Sequence, residues 1–488
     1  MVLLSELIRL LGYAQVRGPA DIALTGISCH SKKVAAGNLF VAIPGFSADG
    51  REYVPEAEAA GAAAVVFEGK FFDNLRATQI RVSGARLALA QLSAAWFKNP
   101  TDGLYLAGVT GTNGKTTLTY LLEAMWQGAA KKTGVVGTVN ARYGSIIREA
   151  GQTTPESRDL QEIFFEMKNA GVTHAAIEAS SHAIIQERVT GCAFDACVFT
   201  NLTQDHLDFH GTMEDYYLSK EKLFARHLKA SSKKNRVAVI GVDDEYGKRL
   251  AKIEGVPVLT YGKGKEAALH PEQVKVGLDG IYGEISCDGT RIELESPLFG
   301  RFNLLNILAA AGVGLHSGLL ANEVAEGIKK CRAIPGRLER IEDPKGRLIF
   351  VDYAHTPDAL KNVLTALRET GRKIVTVFGC GGDRDRTKRP LMGFEAGNLS
   401  DVCVVTSDNP RTENPREIID EILPGVKQTG KKFIVEEDRK KGIEKALELA
   451  GSGDVVLIAG KGHEDYQIIG KAKHHFSDQE IVRELMVC

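Results

Sequence analysis

The stretch LYLAGVTGTNGKTTLTYLLEAMWQ, residues 104–127, carries the strongest fold signal in this chain of 488 residues. Residues 104–110 are an apolar run that predicts a buried strand, GTNG at 111–114 a tight turn, and residues 115–127 a helix. A glycine-rich turn between a strand and a helix gathers backbone N–H groups and the positive end of the helix around one point, which suits a phosphate. Gly111, Thr112, Asn113, Gly114, Lys115, Thr116 and Thr117 therefore form a candidate ATP-binding loop. In it Lys115 offers charge to the β- and γ-phosphates and Thr116 a hydroxyl to Mg²⁺. The usual eight-residue pattern has a glycine five positions before Gly114, where this chain has Val109. The flanking strand and helix, rather than the pattern, carry the reading.

Working outward, buried-strand runs recur at VTHAAIEA (172–179), FDACVFTN (194–201) and VAVIGVDD (237–244), with helical stretches between them. That alternation predicts an α/β protein whose central sheet is largely parallel. The first run delivers Glu178 to its carboxyl end, followed by Ser180, Ser181 and His182. The second delivers Asn201, then Asp205, His206, Asp208 and His210. A glutamate and a histidine on the edge that holds a phosphate loop are suited to binding Mg²⁺ or substrate. Lys220 sits in the charge-dense MEDYYLSKEKLF and by its own surroundings reads as a solvated lysine.

Two further blocks flank this one. The block to about residue 100 alternates LFVAI (39–43) and AAAVVF (62–67) with helical stretches and closes on the turn-rich residues 98–103. The turn Ile334-Pro335-Gly336-Arg337 opens the last block. There, four apolar strands end in polar tails: LIFVDYAHTPD (348–358), IVTVFGCGGDRDRTKRP (374–390), VCVVTSDNPR (402–411) and DVVLIAGKGHEDYQ (454–467). Ligands of open parallel sheets bind beyond the strands' carboxyl ends, so these tails are expected to converge on one site. Three domains follow, at residues 1–100, 101–335 and 336–488.

Bulk properties narrow the function. The net charge of −1, with 44% hydrophobic and 25% charged residues, gives no global case for nucleic acid or an anionic membrane. The eight cysteines are scattered without a CxxC pair, as free thiols of a reducing compartment are. In MVLLSELIRLLGYAQ, Glu6 and Arg9 interrupt the apolar residues, whose spacing predicts an amphipathic helix rather than a signal peptide. With no run of about 18 apolar residues, no membrane span is expected and a cytoplasmic location is.

GTNGKTT, TTPES, EASSHA, TNLTQDHLDFHG, FNLLN, PGRLE, DYAHTPD, GCGGDRDRTKRP, DNPR and GKGHED occur in that order. Together they resemble the Mur ligase family of peptidoglycan synthesis over nearly the whole chain. The resemblance implies a uridine-nucleotide domain, a central P-loop ATPase-like domain and a C-terminal Rossmann-like domain that binds the incoming amino acid. It implies an ATP-dependent ligase that adds meso-diaminopimelate to UDP-N-acetylmuramoyl-L-alanyl-D-glutamate through an acyl phosphate. By motif, Lys115, Glu178, His206 and Lys220 fall at catalytic positions. Thr116, Glu178, His206 and Lys220, the last as a CO₂-derived carbamate, fall at Mg²⁺-binding ones. Asn303, Arg337 and Asp352 match ATP-binding residues. Ser31, Ser47, Thr153, Thr154, Ser180, Gln186 and Arg188 match contacts to the UDP-muramoyl dipeptide. Arg384, Asp408, Asn409, Pro410, Arg411, Gly460 and Glu464 match contacts to diaminopimelate, with Arg411 suited to its distal carboxylate and Glu464 to its distal ammonium.

One departure falls in the first block, where His30-Ser31-Lys32 stands in place of the family's frequent Asp-Ser-Arg. The alternatives are a lysine-adding Mur ligase, a folylpolyglutamate-synthase-like ligase, and a P-loop switch or motor. The DNPR and GKGHED tails favour the diaminopimelate reading, and the absence of tails and repeats weighs against a motor. A monomer is expected.

Overall fold

The fold is taken from a computed structural model, which describes residues 2–45 and 48–487. The run at 104–110 forms the strand Tyr105–Thr110, inside an eleven-stranded sheet. It pairs in parallel with His174–Glu178 on one side and Ala196–Phe199 on the other. Helices cover both faces of this strand, which explains the near-continuous apolar sequence. Ala107 and Val109 pack with Leu118, Leu121, Leu122 and Met125 of the helix Lys115–Gly128, whereas Leu106 packs with Leu160 and Phe164 of the helix Ser157–Asn169.

The sheet is parallel only through its middle. Thr133–Val136, His174–Glu178, Tyr105–Thr110, Ala196–Phe199, Val237–Gly241 and Val258–Tyr261 run in one direction. One edge continues into the antiparallel strands Asn140–Tyr143 and Ile146–Glu149. The other carries the meander Leu269–Gly277, Gly280–Cys287 and Thr290–Ser296.

The last block holds a six-stranded sheet in the order Glu339–Ile341, Leu348–Asp352, Val455–Ala459, Ile374–Phe378, Val402–Val405 and Lys432–Val435. The four strands with polar tails are thus consecutive neighbours, all parallel. The first block holds a five-stranded sheet, in which Ala14–Arg17 lies antiparallel to Thr78–Val82 and the remaining strands are parallel.

The amphipathic helix expected at the amino end is short. It spans Leu4–Ile8 only, with Leu4 and Leu7 buried and Leu10 exposed. Pairing of the next strand, Ala14–Arg17, with Thr78–Val82 outweighs the helical spacing of the leucines. The seven described cysteines are free thiols, six of them buried. Among the described residues, no helix is long and apolar enough to cross a membrane.

Candidate active site

The loop after Tyr105–Thr110 is shaped by glycines at two positions. Gly111 has φ +145° and Gly114 φ +90°, and a Cβ at either would collide, with Thr200 and Asn306 respectively. The tail of the neighbouring strand braces the loop from outside. Thr112 N–H donates to Asn201 O at 2.9 Å, Asn113 N–H to Asn201 Oδ1 at 3.0 Å, and Thr200 Oγ1 to Asn113 O at 2.6 Å. Lys115 Nζ is folded back on the loop, donating to Gly111 O at 3.0 Å and Thr112 O at 2.9 Å. Burial lowers its amine from the ordinary lysine value, against the pull of Glu178 and Asp205. Thr117 is buried within the first turn of the helix.

Glu178, at the end of its strand, is 1% exposed and lies against the first helical turn. Its carboxylate accepts from Thr116 Oγ1 at 3.2 Å, Thr138 N at 2.9 Å and Thr138 Oγ1 at 2.9 Å. A buried hydroxyl beside a buried carboxylate is a hard oxygen set. It fits Mg²⁺, which takes one or two protein oxygens and fills its shell with phosphates and water. Among the described residues, no group of three or more His, Cys, Asp or Glu forms a metal cage. His206 has φ +53°, and its Nε2 lies 3.3 Å from Asp205 Oδ2. Its ring is edge-on to His182 at 4.9 Å, and His182 stacks on Phe209 at 4.1 Å.

Lys220 occupies an unusual place for a lysine. It is 1% exposed, its Nζ donates to Gly111 O at 2.9 Å and lies 4.4 Å above the Tyr216 ring, and no ion pair to it is found among the described residues. Burial holds its amine well below the ordinary lysine value, and Lys115 adds to the effect.

A second set ties the loop to the last block. Arg337 Nη2 donates to Thr116 Oγ1 at 3.0 Å, and its guanidinium stands 4.6 Å from the centre of the Tyr353 ring. Asp352 accepts from Leu338 N and Ala354 N, both at 2.7 Å, and burial raises its pKa. Asn303 is buried at the start of the helix Arg301–His316, donating to Phe299 O at 2.7 Å and accepting from Asn306 Nδ2 at 3.1 Å. Asp358, which the sequence reading did not single out, accepts from Asn113 Nδ2 and Thr203 Oγ1 at 3.0 Å each.

Five of the residues matched to the muramoyl dipeptide come together next to Glu178. Thr154 Oγ1 donates to Glu178 O at 2.7 Å and lies 3.3 Å from Ser180 Oγ, which caps the helix Ser181–Ile185. Arg188 donates to Thr154 O at 2.9 Å and Gln186 Oε1 at 2.6 Å, and Thr153 Oγ1 is 3.1 Å from Thr138 Oγ1. Ser31 lies in the first block, buried at the head of the turn Ser31–Lys33. Ser47 lies outside the described residues.

In the last block, the DNPR and GKGHED tails interlock. Asn409 Nδ2 donates to Glu464 Oε2 at 2.8 Å, and Asn409 Oδ1 accepts from Ile468 N at 2.9 Å. Asp408 is buried, and a Cβ at Gly460 would approach its Oδ2 to 2.5 Å. Arg411, with φ +51°, donates to Gly382 O at 2.6 Å, while its backbone pairs with the hairpin strand Tyr466–Ile469. Pro410 is buried, and Arg384 is exposed, with Nη1 3.3 Å from Asp383 O.

A braced phosphate loop with a buried carboxylate, tied to a second, largely parallel sheet whose strand tails are charged, is the build of a nucleotide-dependent enzyme. Family models match consecutively: the Mur ligase family catalytic domain over residues 23–97, the Mur ligase middle domain over 109–314, and the Mur ligase glutamate ligase domain over 336–462. The chain is 46% identical to the UDP-N-acetylmuramoyl-L-alanyl-D-glutamate–2,6-diaminopimelate ligase of Geobacter metallireducens, covering 98% of this chain and 97% of that one. It is 44% identical to the ligase of the same name from Geobacter sulfurreducens, with the same coverage. A solved structure of a ligase of that name matches with TM-score 0.71 and 32% identity, over 100% of this chain and 99% of that one. The chain belongs to the Mur ligase family, whose members are ATP-dependent ligases that form amide bonds.

Proposed function

We propose that this chain joins meso-diaminopimelate to UDP-N-acetylmuramoyl-L-alanyl-D-glutamate, with ATP converted to ADP and phosphate, in cytoplasmic peptidoglycan synthesis. The observation that carries the reading is the interlocking of the DNPR and GKGHED tails, in a block tied to the phosphate loop through Asp358 and Arg337. A cationic and an anionic side chain, Arg411 and Glu464, suit the two ends of a zwitterionic side chain. The relatives' names supply the substrate pair.

In this reading residues 1–100 hold the uridine nucleotide, with Ser31 and Ser47, residues 101–335 hold ATP, and residues 336–488 hold diaminopimelate. The γ-carboxylate oxygen of D-glutamate attacks the γ-phosphorus. An O–P bond forms, the bond to the β-phosphate oxygen breaks, and ADP leaves. The amine of diaminopimelate then attacks the acyl carbon, expels phosphate with the C–O bonding pair, and gives up a proton. Gly111 to Thr117 bind and orient the phosphates, Lys115 neutralises their charge, and Asn303, Arg337 and Asp352 hold the rest of ATP. Thr153, Thr154, Ser180, Gln186 and Arg188 aim the dipeptide. Arg384, Asp408, Asn409, Pro410, Arg411, Gly460 and Glu464 hold the amino acid. Thr116, Glu178, His206 and Lys220 would hold Mg²⁺, which would screen phosphate charge. Lys220 would do so as a carbamate: its buried amine, with no carboxylate partner, adds to CO₂, an N–C bond forms, a C–O π pair moves to oxygen, and the amine proton is lost to solvent.

The test is phosphate release from the purified protein with ATP, Mg²⁺ and the nucleotide dipeptide. Release is expected on adding meso-diaminopimelate and not L-lysine. Equal turnover with lysine would overturn the amino-acid assignment, and turnover driven by a folate and glutamate would overturn the substrate pair.

A further inference from the structure

Behind Asn409 and Glu464 lies a buried lysine. Lys461 follows the strand Val455–Ala459 and is wholly buried, its side chain 0% exposed. Its Nζ lies 3.2 Å from Glu464 Oε2 and 3.4 Å from Asn409 Oδ1, and 5.5 Å from the centre of the Tyr466 ring. Glu464 Oε2 thus takes two donors, Lys461 Nζ and Asn409 Nδ2, and the Glu464 side chain keeps 14% exposure. A ligand reaches Glu464 and not Lys461.

A lysine seldom lies wholly buried, and an isolated buried ammonium is expensive. Here the cluster balances it. Asp408 and Glu464 carry the negative charge, and Arg439, also buried, is committed to Asp478 by contacts of 2.8 and 2.7 Å. Lys461 is therefore the cation that serves Glu464: burial raises that carboxyl above its ordinary value, and Lys461 is the largest pull against it.

We propose that Lys461 is a positioning residue for the incoming amino acid: with Asn409 it fixes the Glu464 carboxylate in the orientation that receives the substrate's distal ammonium group. The inference rests on the assignment of Glu464 to that ammonium. An unanchored glutamate loses side-chain order, and its carboxylate meets the ligand in many orientations. The consequence is confined to one ligand, because Lys461 touches neither the phosphate loop nor the dipeptide residues.

Steady-state phosphate release by the full chain tests this. In wild type, dependence on diaminopimelate must first be seen, and its absence defeats the functional reading itself. Lys461→Met is expected to raise the KM for diaminopimelate at least tenfold, with the KM values for ATP and the nucleotide dipeptide within twofold. Lys461→Arg is expected to recover most of the loss. If the methionine variant does not fold, Lys461→Gln carries the same expectation. In a Glu464→Gln background the Lys461 substitution should add nothing further, since its effect passes through that carboxylate. An unchanged diaminopimelate KM, an equal rise in all three KM values, or additive effects of the two substitutions would each overturn the proposal.

Discussion

Lys220 and Lys222 stand two positions apart in one charged helix, yet Lys222 is exposed and Lys220 is 1% exposed. Two helical positions put them on opposite faces, and Lys220 falls on the buried one with Tyr216, Tyr217, Leu223 and Phe224. What that spacing does not show is the bond to Gly111 O, made only once the chain has folded. Lys220→Ala is expected to abolish phosphate release, with partial recovery when formate or acetate is added to stand in for the carbamate. No recovery at any carboxylate concentration would remove the support for carbamylation. Glu178 was legible because a strand delivers it to the loop's edge. Its partner Thr138 was not, because it lies in a short turn with no periodicity to mark it.

At the scale of elements, the loops of Arg384 and Arg411 are held by a clamp that the motifs did not reveal. Arg389, 0% exposed, donates to Glu413 at 2.9 Å and to Glu421 at 2.7 Å, and Thr412 Oγ1 donates to Asp383 Oδ1 at 2.7 Å. These bonds join the loop of Arg384 to that of Arg411 and hold Asp383 and Arg411 at φ +53° and +51°, a conformation that costs energy without such support. The Arg389 guanidinium holds the Glu413 carboxyl down at about 2, from an ordinary 4.5. A depressed carboxyl stabilises the fold above its unfolded value, and the contribution disappears as pH falls from about 4.5 toward 2. Glu413→Gln should therefore lower Tm at pH 7, and the gap to wild type should narrow by pH 3. A gap of constant size over that range would contradict the linkage. The elements themselves were partly legible. Parallel strands with both faces covered announce themselves as apolar runs, as at 104–110 and 374–378. The amino-terminal leucines misled, because strand pairing at residues 14–17 cuts their helix short.

For the whole molecule, what sequence order conceals is that the phosphate loop at 111–117 is joined to the last block, among whose strand tails is DNPR at 408–411. Parallel topology gathers the tails within each block, since it sends every strand's carboxyl end to the same edge of its sheet. The joint between the two sheets is a matter of tertiary contact. Asp358 reaches Asn113, and Arg337 reaches Thr116, over separations of 245 and 221 residues. In the proposed reaction the dipeptide carboxylate becomes an acyl phosphate before the amine attacks it. Turnover of nucleotide dipeptide carrying ¹⁸O in the D-glutamate γ-carboxylate, with the released phosphate weighed by mass spectrometry, tests it most directly. One labelled oxygen per phosphate is predicted for each amide formed. Phosphate released without label, while the amide still forms, would contradict the account.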